Sequence, residues 1–190
     1  GLDTLATRIS RENGALVCIE VDHPLTQGIK TAALARKGAP ANLSLVAADL
    51  RERPLGAVLA TVSGYDAKCP TVFVAEGLLM YLHETDVIKL FRDVRAIAPE
   101  GSRFVFSFME SDGSGRVRFK GTKWWYGPLL DWWLARLGES MHWSIDRAAL
   151  PAWADPLGWH VLDIGTHETF RALYLAPHGL QGRALLDGEY

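Results

Sequence analysis

Residues 72–87, VFVAEGLLMYLHETDV, decide the fold class of this chain. Four apolar residues that suit a buried strand end at Glu76, a glycine follows, and an apolar pattern at helical spacing begins near Thr85. The same order of strand, acid and helix occurs twice earlier in the chain. This alternation predicts an α/β fold with a mostly parallel sheet and helices on both faces.

Two further acids follow predicted strands. The apolar run of residues 15–21 leads into Asp22, and the run of residues 43–47 is followed by Asp49. Open α/β sheets bind ligands beyond the carboxyl ends of their strands, so Asp22, Asp49 and Glu76 are predicted to line one edge. Such carboxylates can bind ribose hydroxyls, an adenine amino group and a cationic ligand. They indicate a nucleoside-binding domain and leave nicotinamide cofactors and S-adenosylmethionine both open.

Helix boundaries in the first half are marked by proline and glycine. Pro24 suits the first turn of a helix, and Gly38 suits the position just past its end. Near the carboxyl terminus, residues 160–164 and 170–176 are predicted to form an antiparallel hairpin. No repeat or linker divides the chain, so residues 1–190 are predicted to form one domain.

The composition excludes several classes of protein. The 190 residues carry a net charge of -2 and are 48% hydrophobic, which fits a globular domain without a basic face. We therefore expect no nucleic-acid or membrane partner and a cytoplasmic location. The two cysteines form no disulfide or metal pattern, and no metal site is predicted.

Five further stretches extend the pattern around residues 72–87. They are GLDTLATRI (1–9), IEVDHP (19–24), LVAADLRE (45–52), RLGESMHWSID (136–146) and PLGWHVLDI (156–164). The similarity that these stretches mark extends over roughly residues 1–174. The combination resembles the leucine carboxyl methyltransferase-like family of S-adenosylmethionine-dependent O-methyltransferases, and residues 72–87 are its most specific match.

The resemblance implies S-adenosylmethionine as cofactor and assigns it a set of residues. Gly1 would close the glycine-rich cofactor turn, and Asp22 would hold the ribose hydroxyls. Asp49 would accept the adenine amine, and Leu50 would pack on the ring or offer its backbone. Glu76 would face the methionine end.

The residue that competes with Asp22 is Glu20, because side chains two apart in a strand share a face. In the family a first strand with glycines, and an N-terminal extension, precede the position of Gly1. The resemblance therefore implies a Rossmann-like methyltransferase fold without its N-terminal strand. We expect this chain alone to bind the cofactor poorly.

The implied reaction is transfer of a methyl group to a carboxylate or hydroxyl of a small molecule or peptide. A carboxylate acceptor is already ionised and needs no base, whereas a hydroxyl acceptor benefits from one. His142 is the best candidate base, and no catalytic residue is assigned. The alternatives are a nicotinamide-dependent oxidoreductase and a non-catalytic relative of the methyltransferases.

Residues 111–156 are predicted to be an insertion that covers the substrate. This region is rich in tryptophan, and Trp124, Trp125 and Trp143 are candidates for an aromatic pocket wall, whereas Trp133 suits the buried face of a helix. Tyr81, close behind Glu76, completes the predicted substrate side. The predicted substrate contacts are Tyr81, Trp124, Trp125 and His142.

Overall fold

A computed structural model describes residues 2–111, 136, 141–180 and 190 of the chain. These residues divide into two compact units. Unit 1 contains Gly1–Pro70 and Ala96–Glu100, and unit 2 contains Thr71–Arg95 and Gly101–Tyr190.

Unit 1 holds the first two strands and the helices that follow them. Its elements are α1 (Leu5–Glu12), β1 (Cys18–Asp22), α2 (Pro24–Lys37), β2 (Leu43–Ala47) and α3 (Leu55–Leu59). Strands β1 and β2 pair in parallel, with Cys18 opposite Leu43 and Asp22 opposite Ala47. The parallel arrangement predicted from the alternation of strands and helices is confirmed for this pair.

Helix α2 begins and ends at the predicted residues. Pro24 occupies the first turn, and the ring nitrogen of His23 accepts a hydrogen bond from the backbone N–H of Leu25 at 3.4 Å. Gly38 follows the last helical residue with φ 81°, a left-handed conformation that favours glycine. These signals explain why the chain leaves β1, turns directly into a helix and stops there.

Unit 2 holds the second pair of strands. Its elements are β3 (Val72–Ala75), most of α4 (Glu84–Ile97), β4 (Arg103–Phe106), α5 (Leu150–Ala154) and α6 (His167–Phe170). Strands β3 and β4 are also parallel, with Val72 opposite Arg103 and Ala75 opposite Phe106. A short 3-10 turn at Leu79–Tyr81 joins β3 to α4.

Phe91 lies at the centre of the apolar core of unit 2. Its side chain is fully buried on α4, and its ring contacts Phe104, Phe106 and Trp153 at centroid distances of 4.9, 5.0 and 4.9 Å. The indole N–H of Trp159 donates to the backbone carbonyl of Phe91 at 3.1 Å. Helix α4 is thereby held on the sheet face behind the carboxyl ends of β3 and β4.

The predicted antiparallel hairpin near the carboxyl terminus is wrong. Residues 159–166 have no regular structure, and residues 167–178 are helical: α6 is followed by a π turn and a 3-10 turn. The Thr166 side chain caps α6 by accepting the backbone N–H of Thr169 at 3.2 Å. This cap and the leucines and alanines that follow favour helix over strand.

An antiparallel contact occurs instead between Phe108 and the last residue. Phe108 N–H donates to the carbonyl of Tyr190 at 2.6 Å, and Tyr190 N–H donates back at 2.9 Å. Two residues that exchange both backbone bonds show the antiparallel pattern. Within the described residues this antiparallel contact is a single residue pair beyond the end of β4, and residues 170–176 are helical.

Two expectations about the whole chain stay predictions. They are the single domain over residues 1–190 and the substrate-covering insertion over residues 111–156. Most of that insertion, residues 112–135 and 137–140, lies outside the described residues. In the part of the chain that is described, no helix is long and apolar enough to cross a membrane.

Truncation of the central core side chain tests this packing. Phe91→Ala is expected to lower the free energy of unfolding by about 3–5 kcal/mol, because it removes buried apolar area and leaves a cavity. The control Leu162→Ala changes a side chain that is 73% exposed and should stay within about 0.5 kcal/mol of the parent. Urea unfolding followed by circular dichroism measures both, and a Phe91→Ala loss below about 1 kcal/mol would contradict the assigned core.

Candidate functional site

The carboxyl edge of unit 1 brings together two of the predicted cofactor-binding acids. Asp22 is the last residue of β1, and Asp49 follows β2 by two residues. The register places Asp22 opposite Ala47, and Ala48 N–H donates to the carbonyl of Asp22 at 2.9 Å. Both acids therefore lie where their strands end, at the same edge of the parallel pair.

Asp22 is half-buried at the start of the turn into α2. One of its carboxylate oxygens, Oδ1, accepts the backbone N–H of His23 at 2.6 Å. A hydrogen bond from the backbone of the next residue restricts the rotamers of the Asp22 side chain. The carboxylate is thus pre-oriented beyond the strand end, which is the position expected of a group that binds ribose hydroxyls.

Asp49 is paired with an arginine in its own turn. The Arg51 guanidinium donates from Nε to Oδ1 and Oδ2 at 3.0 and 3.2 Å, and from a terminal nitrogen to Oδ2 at 2.6 Å. These side-chain bonds, followed by the backbone N–H of Arg51 at 2.9 Å from Oδ1, lower the pKa of Asp49 to about 2. Asp49 is therefore an acceptor of N–H donors throughout the neutral range. Leu50 lies beside it, half-buried in the same turn.

Glu20, the competitor for the ribose role, is bound elsewhere. Its Oε2 lies 2.6 Å from Nζ of Lys30, and the two side chains are only 12% and 7% exposed. The side chain of Gln27 donates to the Glu20 carbonyl at 3.0 Å. The structure therefore separates the two acids of β1: Glu20 is half of an enclosed ion pair on α2, and Asp22 stays the ribose candidate.

In unit 2, a sharp turn places Glu76 directly after β3. Gly77 has φ 61°, a left-handed conformation that a side chain would strain. Its N–H donates to Oγ of Ser107 at 2.8 Å, and Ser107 N–H donates to the Ala75 carbonyl at 3.2 Å. The turn is thus tied to the end of β4, and Glu76 is exposed at the carboxyl edge of this strand pair.

Three polar aromatic residues lie in or against the segment that follows Glu76, namely Tyr81, His83 and His142. Tyr81 ends the 3-10 turn and is 41% exposed. The backbone N–H of His142 donates to the Met80 carbonyl at 2.7 Å, which brings the distant residue 142 against this turn. The imidazole rings of His83 and His142 then lie in contact, with centroids 4.3 Å apart.

The contact between the two histidines was missed by the sequence analysis, which considered only His142. His83 lies at the start of α4, where its carbonyl accepts the N–H groups of Asp86 and Val87 at 2.9 and 3.0 Å. Its imidazole ring makes a separate contact, with the ring of His142. Nothing in the local sequence around residue 83 indicates that residue 142 returns to it.

Several predicted residues lie away from these groups or outside the described part of the chain. Trp143, a candidate for the pocket wall, is only 4% exposed and packs on Trp153 at 5.3 Å, so it is a core residue. Gly1, Trp124, Trp125 and Trp133 lie outside the described residues. Within those residues no group of three or more metal-ligating side chains is found.

Comparison with known proteins identifies relatives of the whole described fold. The family model described as Leucine carboxyl methyltransferase matches residues 1–95. A protein of Mycobacteroides abscessus, named as an S-adenosyl-L-methionine-dependent methyltransferase, is 34% identical over 182 residues. The match covers 93% of this chain and 57% of that relative, so the chain spans little more than half of the relative's length.

Solved structures share the fold. The mitomycin 7-O-methyltransferase MmcR matches with a TM-score of 0.58 and 14% identity, covering 86% of this chain and 42% of that one. PigF with SAH matches with a TM-score of 0.57 and 15% identity, covering 84% and 42%. At these identities the likeness concerns the fold, and it confirms the predicted Rossmann-like methyltransferase class.

The arginine beside Asp49 generates a pH prediction. Arg51→Ala removes the largest cause of the lowered pKa, so the pKa of Asp49 should rise from about 2 toward its ordinary value of 3.8. A group with a depressed native pKa favours the folded state above its unfolded pKa, and that contribution fades as pH falls through the native value. In the variant the native and unfolded pKa values of Asp49 nearly coincide, so this contribution, which the parent loses as pH falls from 3.8 to about 2, should largely disappear.

Carboxyl carbon NMR of Asp49 measures the shift directly. The matched control Arg53→Ala changes an exposed arginine of the same turn and should leave the Asp49 titration unchanged. An Asp49 that titrates near 3.8 in the parent chain would contradict the observed pairing.

The enclosed ion pair generates a stability prediction. Lys30→Met leaves the Glu20 carboxylate without its cation, and breaking a buried pair on one side typically costs about 3–5 kcal/mol. The control Lys37→Met removes an exposed cation of the same helix and should cost far less. Urea unfolding compares the two variants, and equal stabilities would show that the Glu20–Lys30 contact contributes nothing.

Proposed function

Because the chain belongs to the leucine carboxyl methyltransferase family, we propose that it transfers a methyl group from S-adenosylmethionine to an oxygen atom of a small molecule. The observation that carries this proposal is the placement of Asp22 and Asp49 at one carboxyl edge of a parallel strand pair. Ligands of open α/β sheets bind at such an edge. The family match favours this activity over a nicotinamide-dependent oxidoreductase.

The donor chemistry of unit 1 suits the nucleoside half of the cofactor. The Asp22 carboxylate would accept the two ribose hydroxyls, and Asp49 would accept the exocyclic amine of adenine. The guanidinium of Arg51 already donates N–H groups to both oxygens of Asp49, so this carboxylate is an acceptor of N–H donors. An amine that reaches Asp49 would replace or share these bonds. Half-buried Leu50 would offer an apolar surface or a backbone group to the ring.

Unit 2, considered by itself, carries the residues proposed for a cationic group and for the acceptor. Glu76 supplies an exposed negative charge directly after β3, which favours an ammonium or sulfonium group. When bound, the cofactor supplies an electrophilic methyl group. The chain's own task is to hold the acceptor oxygen about 3 Å from that carbon, in line with the breaking bond, and to exclude water. Tyr81 and His142 are the described residues proposed for the acceptor side.

The more specific part of the proposal is that the atom that receives the methyl group is an oxygen. The fold neighbour MmcR is by its name a 7-O-methyltransferase of mitomycin, a small molecule. The family description refers to a carboxyl group. Both support transfer to oxygen, and a cytoplasmic location and a small-molecule partner remain proposals alongside it.

The ribose contact is tested by removing its carboxylate. Charge-assisted bonds to two hydroxyls should contribute about 2–4 kcal/mol, so Asp22→Ala should weaken S-adenosylmethionine binding by tens-fold or more. The control Glu12→Ala removes an exposed acid from the last turn of α1, before β1 begins, and should leave the affinity unchanged. Isothermal calorimetry gives the affinities, and circular dichroism shows that the fold survives.

Two outcomes would count against the proposal. Equal affinity in Asp22→Ala and the parent would remove Asp22 from the site. A parent chain that releases no heat and shows no thermal stabilisation with millimolar S-adenosylmethionine would contradict cofactor binding by this chain.

A further inference from the structure

The contact between His83 and His142 lies beside the edge assigned to the acceptor. The loop that begins at Glu76 turns at Gly77, passes through the 3-10 turn at Leu79–Tyr81 and reaches His83 at the start of α4. The 2.7 Å bond from His142 N–H to the Met80 carbonyl fixes the second histidine on this loop. His83 therefore belongs to the connection that follows the carboxyl end of β3, and His142 is hydrogen-bonded to that connection.

The imidazole rings of His83 and His142 are exposed to solvent and also in contact with each other. Both histidines are solvent-exposed, their centroids are 4.3 Å apart, and their planes are inclined by 39°. Within the described part of the chain, neither ring has a hydrogen-bond partner, so neither is used to hold the fold through its nitrogens. Contact between two exposed rings restricts their rotamers, and here it brings the imidazole of His142 to that of His83, two residues after Tyr81.

Imidazole in this setting has one obvious chemical use. A neutral imidazole nitrogen accepts a proton near neutral pH, and histidine is the side chain most often used as a general base. A carboxylate acceptor arrives ionised and needs no such group, whereas a phenol or alcohol gains from one. The presence of the pair at this edge therefore bears on the class of acceptor.

We propose that His83 and His142 form one proton-accepting pair for a hydroxyl-bearing methyl acceptor. This inference rests on the proposed function, since it concerns the acceptor side of the same site. The two rings lie in contact, so replacing either one changes the surroundings and position of the other. The two rings should consequently act as a unit rather than as independent bases.

The step balances without any further reactant. The acceptor hydroxyl gives its proton to an imidazole nitrogen of the pair while its oxygen forms the new bond to the methyl carbon. The carbon–sulfur bond of the sulfonium donor breaks, and its electron pair stays on sulfur, which becomes neutral. The products are a methyl ether, the demethylated thioether and an imidazolium, which returns its proton to water.

The experiment compares acceptor classes in variants of the full chain. The variants are His83→Asn, His142→Asn, the double variant and the control His160→Asn, whose side chain is 84% exposed and pairs with Asp155 at 3.8 Å. The probes are 4-methylphenol and 2-naphthol as hydroxyl acceptors, and 4-methylbenzoate and 2-naphthoate as carboxylate acceptors. Formation of the demethylated cofactor reports transfer, and calorimetry reports cofactor binding in each variant.

The proposal predicts transfer to the phenols and a loss of about 10²–10⁴-fold in kcat/KM in each single variant, as expected for removal of a general base. The double variant should be no more than about threefold worse than the poorer single variant, because groups that act as a unit are not additive. The cofactor affinity and thermal midpoint of every variant should match those of the parent. The transfer rates of the control His160→Asn should also match those of the parent.

Four results would overturn the pair. The first is transfer to carboxylates alone. The second is phenol transfer that neither substitution slows, and the third is phenol transfer that only one of the two substitutions slows. Cofactor binding without transfer to any phenol would also overturn the pair and leave the proposed cofactor site standing. Absence of cofactor binding in the parent would instead contradict the proposed function itself.

Discussion

The parallel register of β1 and β2 is the constraint on which the rest of the proposed site depends. Parallel strands end at the same edge, and here the register sets Asp22 opposite Ala47. The bond from Ala48 N–H to the Asp22 carbonyl extends the pairing by one residue, so that Asp49 comes next. A slip of one residue would turn each side chain to the opposite face and would separate the two carboxylates.

Three carboxylates of unit 1 illustrate how surroundings divide similar groups between stability and binding. Glu20 is enclosed with Lys30, so its charge is matched within the fold. Asp49 is matched by Arg51, whose side chain is 64% exposed and can move without disturbing the core. Asp22 is oriented by a backbone N–H. Pairing with a buried lysine thus assigns Glu20 to the fold, whereas the cation that pairs with Asp49 is an exposed arginine.

Much of the fold could be predicted because its signals are local. Pro24 and Gly38 mark the ends of α2, and each of the first strands is a short apolar run followed by an acid. The acids of the predicted site follow from the same pattern, since strand ends determine where they lie. The helical segment at residues 167–178 was missed because the cap at Thr166 and helix-favouring leucines outweigh its aromatic residues.

The contacts that could not be predicted all join residues far apart in the sequence. The histidine pair depends on residue 142 returning to the turn at Met80. The antiparallel contact depends on Tyr190 reaching Phe108. Trp143 was expected at a pocket wall, but packing on Trp153 buries it. Composition and periodicity contain no information on such long-range contacts, whereas the alternation of strands and helices follows from local sequence patterns.

The central claim is that the carboxyl edge of β1 and β2 binds the nucleoside of S-adenosylmethionine. A crystal structure of the chain grown with S-adenosylhomocysteine tests it most directly. We expect ribose hydroxyls within hydrogen-bond distance of Asp22, and the adenine amine on Asp49 with Arg51 displaced from at least one carboxylate oxygen. A nucleoside bound at another edge, or a ribose held by Glu20 with Lys30 displaced, would contradict it.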